Sequence, residues 1–383
     1  MKRRKIFTAA LLAALVMTGC GNSISERSDD VSVNDASQDQ TTADTTAAPV
    51  DESPAETTTT AETTTTTETT PEPEPVDPSE YMVKTAEWDG NVIIGDRYEG
   101  DKVRGILPFY STDYIGESFA EAINECKDAV GDDVNVYVMS IPLSSAFYLP
   151  EELGMGLSDQ VESLNYIYDA LDDDVVIVNV YDTLKAHAPE YIYARTDHHW
   201  QPLGAYYAEA VFAELAGVPH ADLSEYEECQ KEGWCGSINY YSGYVPEVGA
   251  HPDVYTYYKP QNEYTTTTYD SFFSDGYESD LFYDWMEGEA CYTTILGTDT
   301  NITEIETDVD NDRVLLVVKD SYGNAAVPFY VTGFSKVYIM DFRYADVYIT
   351  DMVEKVGATD VLFSVSITSS FTPDHIESIK NRI

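Results

Sequence analysis

The chain has 383 residues, of which 69 are aspartate or glutamate and 21 are lysine or arginine, so its formal net charge is −48. A protein that binds nucleic acid through a broad surface needs a clustered positive field, and this composition argues against that class. The sequence contains neither a GxxxxGK[ST] loop nor the glycine fingerprint of a dinucleotide-binding fold, so no cofactor is expected.

The first 20 residues, MKRRKIFTAALLAALVMTGC, have the pattern of an exported signal peptide. A basic segment from Lys2 precedes an apolar core that is too short to span a bilayer. Residues 16–20 resemble a bacterial lipobox, which predicts a lipoprotein signal peptide at residues 1–19 and lipidation of Cys20. The protein would then be extracytoplasmic, lipid-anchored to the outer face of the bacterial cell membrane. In the alternative, this is an ordinary secretion signal and Cys20 is incidental.

Residues 20–80 have a composition that cannot form a hydrophobic core. Threonine, acidic residues and proline dominate, as in TTTTAETTTTTETTPEPEPVDP, and large apolar side chains are nearly absent. Such segments stay extended and disordered. A flexible chain of this length reaches about 45 Å on average, so we predict a tether that spaces a domain from a membrane.

Residues 81–383 are predicted to form one α/β domain, because apolar strand patterns alternate with helical periodicity. The helix after Trp200 is expected to begin at Pro202 and to end before Gly217. This alternation predicts a mostly parallel sheet covered by helices on both faces. Residues 220–305, rich in Tyr and Gly, interrupt it and are interpreted as an irregular insertion that lines a cleft. The predicted strands are 91–94, 134–141, 175–180, 313–318, 336–340 and 360–365, and the predicted helices are 118–129, 163–171, 202–216 and 350–356.

Four cysteines remain beside Cys20, and none has the CxxC spacing of a zinc site. Cys229 and Cys235 are near enough in sequence for a disulfide, which an exported protein permits. Free or partly buried thiols are the alternative for all four residues, Cys126, Cys229, Cys235 and Cys291.

The predicted strand RVLLVV runs straight into Lys319-Asp320-Ser321-Tyr322-Gly323, which places a serine just past the strand. Nucleophiles of α/β hydrolytic enzymes are displayed at such a strand end, beside a residue that permits a tight turn. Serine at this place is also typical of a helix N-cap, and this structural reading stays open here.

Asp197 and His199 supply the other members of a Ser-His-Asp set. In an extended segment, residues two apart project to the same side, so the carboxylate would orient the imidazole. The other ring nitrogen would then take a proton from a hydroxyl. In a doubly wound sheet this loop and Ser321 would meet at one edge, at the carboxyl ends of the strands.

ARTDHHWQPLGA, followed much later by VVKDSYGNA, resembles the DHHW proteins of Firmicutes. These are similar to the alginate O-acetylation proteins of the SGNH-hydrolase-like superfamily. The resemblance spans roughly residues 85–383 and implies an SGNH-hydrolase-like fold. It assigns Ser321 as nucleophile, His199 as general base and Asp197 as the residue that orients the imidazole.

The function implied is a surface-anchored, serine-dependent acyl enzyme, an O-acetyltransferase or acetylesterase, that acts on a cell-envelope or extracellular polysaccharide. Its partners would be this glycan, the membrane through the lipid anchor, and an acyl-donor membrane protein. Lys319 replaces the glycine of a Gly-Asp-Ser block, and the Ser321 N–H is the one oxyanion donor that the sequence identifies. These departures favour the alternative, a non-catalytic carbohydrate-binding or scaffolding lipoprotein that retains the fold.

Three further residues are candidates for substrate binding. Trp200 would stack on a sugar or, alternatively, anchor the start of the following helix. Arg343 would bind a substrate anion or pair with Asp341, and Tyr322 adjoins the nucleophile.

His198 is expected to point away from His199 and to make a structural hydrogen bond. No further metal ligand stands at a recognisable spacing from this histidine pair, so no metal is expected.

Overall fold

A computed structural model of the chain describes residues 76–100 and 103–383. The predicted signal peptide, Cys20 and nearly all of the predicted tether lie outside these residues. The last five tether residues are described, and they include a short 3-10 helix at Pro78–Glu80 that the Asp77 side chain caps. Within the described ranges, no helix combines the length and the apolar character needed to cross a membrane.

Strands and helices alternate along much of the described chain. The strands are β1 (Ala86–Asp89), β2 (Val92–Gly95), β3 (Arg104–Ile106), β4 (Asn135–Ile141), β5 (Val175–Ile177), β6 (Tyr226–Trp234), β7 (Asp253–Pro260), β8 (Tyr264–Tyr269), β9 (Tyr277–Glu278), β10 (Ile302–Thr307), β11 (Val314–Lys319), β12 (Lys336–Asp341) and β13 (Asp360–Ser366). The α-helices are α1 (Asp113–Val130), α2 (Ser145–Tyr148), α3 (Gln160–Tyr168), α4 (Tyr181–Ala186), α5 (Pro202–Ala216), α6 (Ser237–Tyr241), α7 (Pro246–Gly249), α8 (Val327–Tyr330), α9 (Ile349–Val356), α10 (Ile367–Ser370) and α11 (Pro373–Lys380).

The central sheet has eight strands in the order β5-β4-β13-β11-β12-β10-β8-β9. The first five are parallel, and the remaining three pair antiparallel. β11 and β13 are almost wholly buried, as parallel strands covered on both faces require. The predicted α/β class with a mostly parallel sheet is confirmed.

The strand order shows where a site should lie. Counted from β11, the parallel strands run β12-β11-β13-β4-β5, which is the 2-1-3-4-5 order of flavodoxin-like sheets. The chain therefore enters this sheet at its fourth strand and supplies the first three strands last. In such sheets ligands bind outside the carboxyl ends of the strands where the order reverses, here between β11 and β13.

Most predicted elements of the sheet are present with shifted ends. α5 begins at Pro202 and ends at Ala216, and it is followed by Gly217, whose left-handed φ of 66° suits glycine. β5 is shorter than predicted, since it ends at Ile177 and a short connection leads to α4 at Tyr181. β11 extends one residue further than predicted, to Lys319, because the backbone of Lys319 still pairs with Asp341 of β12 and Ser364 of β13.

Residues 220–305 are more regular than their composition predicts. β6 and β7 form a separate antiparallel pair, while β8 and β9, with β10, extend the central sheet beyond β12. The predicted strand at 91–94 also lies outside the central sheet, in the three-stranded antiparallel sheet of β1, β2 and β3. Side chains from α6 and α7, Ile238 and Val248, pack in one small core with Val92 and Ile94 of that sheet.

The four described cysteines are free thiols, so Cys229 and Cys235 form no disulfide in this structure. Cys126 and Cys291 are buried, and Cys229 and Cys235 are partly exposed. Burial raises the pKa of Cys126 to about 12, which keeps this thiol protonated. The free-thiol alternative is the one that the structure shows.

Candidate active site

Ser321 lies at the carboxyl end of β11, as the first residue of a 3-10 helix at Ser321–Ala326. The cap of this helix is Asp320, whose Oδ1 accepts a hydrogen bond of 2.9 Å from the Tyr322 N–H. Its Oδ2 accepts from the backbone N–H and the hydroxyl of Ser366, which ends β13, at 2.9 and 2.7 Å. Asp320 rather than Ser321 is thus the N-cap, and the Ser321 side chain is left for another partner.

Asp197 and His199 are paired by a turn and not by an extended strand. The segment 195–199 is bent, and Asp197 Oδ1 accepts the backbone N–H of His199 at 2.9 Å. The same oxygen lies 2.6 Å from His199 Nδ1. Aspartate commonly forms this local turn with the backbone two residues on. The predicted pairing is therefore present, although the predicted backbone conformation was wrong.

The third contact joins the two distant segments. His199 Nε2 lies 2.8 Å from Ser321 Oγ, so one hydrogen-bonded series connects Asp197, His199 and Ser321. Asp197 and His199 are buried, while Ser321 is partly exposed. A carboxylate on one ring nitrogen and a hydroxyl on the other is the arrangement in which an imidazole acts as general base.

The charges of this group are set by its surroundings. Burial opposes ionisation of Asp197, but the electrostatic interaction and hydrogen bond with His199 outweigh it and keep the pKa of Asp197 well below its usual value. Burial, with the neighbouring His199, lowers the pKa of His198 to about 3. Asp197 is therefore an anion, and His198 is neutral near pH 7.

His198 does not point away from its neighbour, as the extended segment predicted. Its ring centre lies 3.8 Å from that of His199, because the turn brings both side chains to one side. Its Nδ1 is hydrogen-bonded to the hydroxyl of Ser237 at 2.5 Å, so the predicted structural hydrogen bond is confirmed.

The depressed pKa of His198 predicts a pH dependence of stability. The unfolded chain binds a proton at this side chain below about pH 6.5, whereas the folded protein binds it only near its pKa of about 3. The free energy of unfolding should therefore fall as the pH is lowered from about 6.5 towards 3. His198→Gln should reduce this slope, measured by urea unfolding at a series of pH values. An unchanged slope would contradict the prediction.

Tyr292, which the sequence analysis did not single out, covers one face of the imidazole. Its ring is stacked on His199 with centres 3.7 Å apart and planes 9° from parallel. Its hydroxyl donates to the backbone oxygen of Ser321 at 2.9 Å. The residue belongs to a 3-10 helix at Gly288–Thr294, within the segment predicted to line a cleft. A single tyrosine among 30 carries no sequence signal for this role.

Gly236 is a second residue that the sequence analysis missed. A Cβ at this position would lie 2.1 Å from Asp197 Oδ2 and 2.6 Å from its Cγ, which is too close for any real contact. The next residue, Ser237, donates its backbone N–H to Asp197 Oδ2 at 2.7 Å. Only glycine, which has no side chain, allows this loop to come close enough for the Ser237 N–H to hydrogen-bond to the Asp197 carboxylate.

Gly236→Ala should therefore displace Asp197 and lower kcat/KM for acetyl-ester turnover by about a hundredfold, the scale expected for a misplacement near 1 Å. Gly249→Ala is the matched control, because the nearest atom to its Cβ would be Asn239 Oδ1 at 3.4 Å. Equal activity of the two variants would show that the close approach at Gly236 does not position the carboxylate.

Two predicted substrate-binding residues are buried, which corrects their assignment. Trp200 is fully buried and donates its indole N–H to the Tyr322 backbone oxygen at 2.8 Å. Tyr322 is also buried, and its hydroxyl donates to the His198 backbone oxygen. Neither ring is accessible to a sugar. Both instead tie the Asp197–Trp200 segment to the turn that carries Ser321, so the anchoring alternative for Trp200 is the correct one.

Arg343 follows β12 and is partly exposed, at 22% of its side chain. Its Nε and one terminal nitrogen donate to Asp341 at 2.8 and 2.6 Å, and that same terminal nitrogen lies 3.2 Å from Asp299. The alternative of pairing with Asp341 is present in the structure. Binding of a substrate anion by Arg343 stays a prediction.

Lys319, directly before Asp320, is 1% exposed and lies between two carboxylates. Its Nζ contacts Asp299 at 2.7 Å and Asp341 at 3.1 Å. Burial lowers the pKa of Lys319, but these two anions outweigh it and raise the pKa above its usual value. Asp299 also accepts from the side chain of Asn324 at 2.8 Å, which links this ionic cluster to the 3-10 helix after Ser321.

Asp197, His198 and His199 offer ligand atoms that lie within 4.8 Å of one another, the spacing of a metal site. Each of these side chains already has a partner: Ser237 contacts Asp197 and His198, and Ser321 contacts His199. A cation would have to displace these contacts. The expectation that no metal is required stays a prediction.

Comparisons with known proteins find one matching family model and several similar solved structures. The family model described as "DHHW protein" matches residues 73–340. A DHHW family protein from Eubacterium siraeum is 37% identical, with a TM-score of 0.74 over 79% of this chain and 99% of that one. PatB1 of Bacillus cereus, solved with a sulfonyl adduct, is 21% identical, with a TM-score of 0.62 over 75% of this chain and 98% of that one. The O-acetyltransferase domain of Pseudomonas putida AlgJ is 15% identical, with a TM-score of 0.40 over 78% of this chain and 99% of that one. No curated protein sequence matches the chain.

Proposed function

Because the chain belongs to the DHHW protein family, we propose that it is a serine-dependent acyl enzyme that transfers acetyl groups to, or removes them from, hydroxyls of a cell-envelope or extracellular polysaccharide. The observation that supports this most is the hydrogen-bonded series of Asp197, His199 and Ser321. Its members come from two segments 122 residues apart and meet where the strand order of the sheet reverses.

In the first half-reaction, His199 Nε2 takes the proton of Ser321 Oγ as this oxygen attacks the carbonyl carbon of an acetyl ester. The tetrahedral intermediate expels the alcohol, which receives the proton from the imidazolium, and acetyl-Ser321 remains. In the second half-reaction, His199 deprotonates a sugar hydroxyl or water, which attacks the acetyl group and releases Ser321. Asp197 stabilises the imidazolium in both halves.

The Ser321 backbone N–H is the oxyanion donor in this proposal. Ser321 is the first residue of its 3-10 helix, where amides have no partner within the helix. The next two amides are occupied, since the Asp320 side chain takes the Tyr322 N–H and its carbonyl takes the Gly323 N–H. Asp320 thereby orients the turn and leaves the Ser321 amide for the developing negative charge.

Anchoring at the cell surface is part of the proposal. The lipobox-like residues 16–20 and the Thr/Glu/Pro composition of residues 20–80 support a lipid at Cys20 and a tether that brings the domain to the glycan. A membrane protein that supplies the acetyl group would be the partner of an enzyme that transfers rather than hydrolyses.

Covalent labelling tests the proposal directly. PatB1, which shares the fold, carries a sulfonyl adduct, and phenylmethylsulfonyl fluoride probes a nucleophilic serine in the same way. We expect one adduct on the peptide that contains Ser321, found by mass spectrometry, and none in Ser321→Ala. His251→Ala is the control, since His251 lies outside the triad. No label on Ser321, together with no turnover of a chromogenic acetyl ester, would favour the non-catalytic carbohydrate-binding alternative.

A further inference from the structure

A group of three tyrosines lies beside the triad on the segment Ser237–Tyr244. Tyr240 and Tyr241, at the end of α6, have ring centres 5.8 Å apart, and Tyr240 and Tyr244 have ring centres 6.0 Å apart. Tyr240 is 59% exposed and Tyr244 is 57% exposed. We refer to Tyr240, Tyr241 and Tyr244 as the aromatic cluster.

The aromatic cluster is next to the catalytic imidazole. The Tyr241 ring centre lies 6.1 Å from that of His198, and the His198 ring lies 3.8 Å from His199. A single side chain therefore separates the cluster from the general base proposed above. Tyr240 and Tyr244 are more than half exposed, so both rings are accessible to a ligand from solvent.

The position of the aromatic cluster relative to the triad is set by several hydrogen bonds. Ser237 donates its backbone N–H to Asp197 Oδ2, and its hydroxyl is hydrogen-bonded to His198 Nδ1. The Ile238 N–H donates to the Thr196 backbone oxygen at 3.0 Å. The start of α6 is thus attached to the Asp197 segment, which fixes the backbone of this helix relative to His199.

Tyr244 shows a second, independent feature. Its φ is +64°, in the left-handed region that L side chains other than Asn and Asp rarely adopt, and the preceding Gly243 also has a positive φ. Such strain persists where the surrounding structure imposes it, and it concentrates at functional sites. Glycine or asparagine would meet this backbone requirement at lower cost, so the tyrosine side chain is retained at this position despite the strain.

We propose that the aromatic cluster is a glycan subsite, on which sugar units next to the reacting hydroxyl stack. This inference rests on the proposed acyl function and deepens it by naming where the acceptor binds. Tyrosine rings offer flat apolar faces with a polar end, which suits the apolar face of a sugar ring. The net charge of −48 disfavours polyanions, so the proposed ligand is an uncharged glycan.

Binding can be measured without turnover by using the full chain with Ser321→Ala as the background. Cellotetraose, mannotetraose and the tetramer of N-acetylglucosamine are uncharged probes, and tetragalacturonate is the anionic comparison. We expect at least one uncharged probe to bind in calorimetric titration, more tightly than the anionic one. In the Ser321→Ala background, the additional substitution Tyr240→Ala should weaken this binding by about fivefold to tenfold, and so should Tyr244→Gly.

Two features of the design separate a binding role from a structural one. Tyr244→Gly removes the ring but suits the positive φ, so the melting temperature should not fall while affinity does. Tyr277→Ala is the matched control, because Tyr277 is 56% exposed on β9, at the far edge of the central sheet. It should leave binding unchanged.

The outcome is distinguishable from failure of the proposed reaction. If sulfonyl labelling of Ser321 succeeds but no uncharged probe binds, or the cluster variants bind as the background does, the glycan subsite is wrong. If binding depends on Tyr240 and Tyr244 but Ser321 is never labelled, the subsite stands and the acyl function falls.

Discussion

Replacing His199 by alanine is expected to lower kcat/KM for a chromogenic acetyl ester by at least about a thousandfold. The imidazole is the group placed to remove the Ser321 proton, with Nε2 at 2.8 Å from the hydroxyl oxygen. Ser321→Ala should have an effect of the same size, because the two residues act as a unit. The double variant should be no worse than either single one, since such effects are not additive.

His251→Ala controls for the loss of a histidine elsewhere in the domain, and it should retain the parent activity. All variants need melting temperatures close to that of the parent, so that lost activity cannot be attributed to unfolding. Residual activity in His199→Ala within tenfold of the parent would show that another base serves Ser321. The mechanism proposed here would then be wrong, although the fold assignment would be unaffected.

Lys319→Met should destabilise the folded protein by about 3–5 kcal/mol, a large part of the stability of a typical domain. The ammonium is buried between Asp299 and Asp341, and its removal leaves two carboxylates with Arg343 as their remaining cation. A buried charge that loses its partner is costly, because water cannot replace the lost contact. Urea unfolding followed by circular dichroism measures the difference.

Lys336→Met is the matched control for this change. Lys336 pairs with Glu306, but 41% and 53% of these side chains are exposed, so the pair is screened by solvent. Its loss should cost less than about 1 kcal/mol. Similar destabilisation by the two substitutions would mean that the cluster around Lys319 contributes no more than a surface ion pair.

The comparison of sequence and structure is clearest at particular residues. DHHW and the serine after RVLLVV identified the family and the three residues that the structure brings together. The α/β fold with a mostly parallel central sheet is also confirmed, and the DHHW family protein from Eubacterium siraeum has a similar fold. Trp200 and Tyr322, in contrast, were assigned to substrate and are buried. Aromatic residues occur both in binding clefts and in hydrophobic cores, so the position of such a residue beside a motif does not reveal whether its side chain is exposed.

For the charged residue Lys319, too, the sequence did not reveal whether the side chain is buried or which residues it contacts. Its place in a Gly-Asp-Ser-like block was read as a departure that weakens the site, whereas the structure buries it against Asp299 and Asp341. Asp299 lies 20 residues before it, in the segment predicted to be irregular. Nothing in the local pattern indicates that partner, because the ion pair forms only when that segment folds beside β11.

The sequence by itself determined the alternation of strands and helices, the family and the identity of three polar residues, because hydrophobic period and a local motif are properties of neighbouring residues. Only the tertiary structure decided the strand order, the stacking of Tyr292 on His199 and the close approach of Gly236 to Asp197. These depend on contacts between segments far apart in the chain. Such contacts are selected by the packing of the whole domain, and no local pattern encodes them.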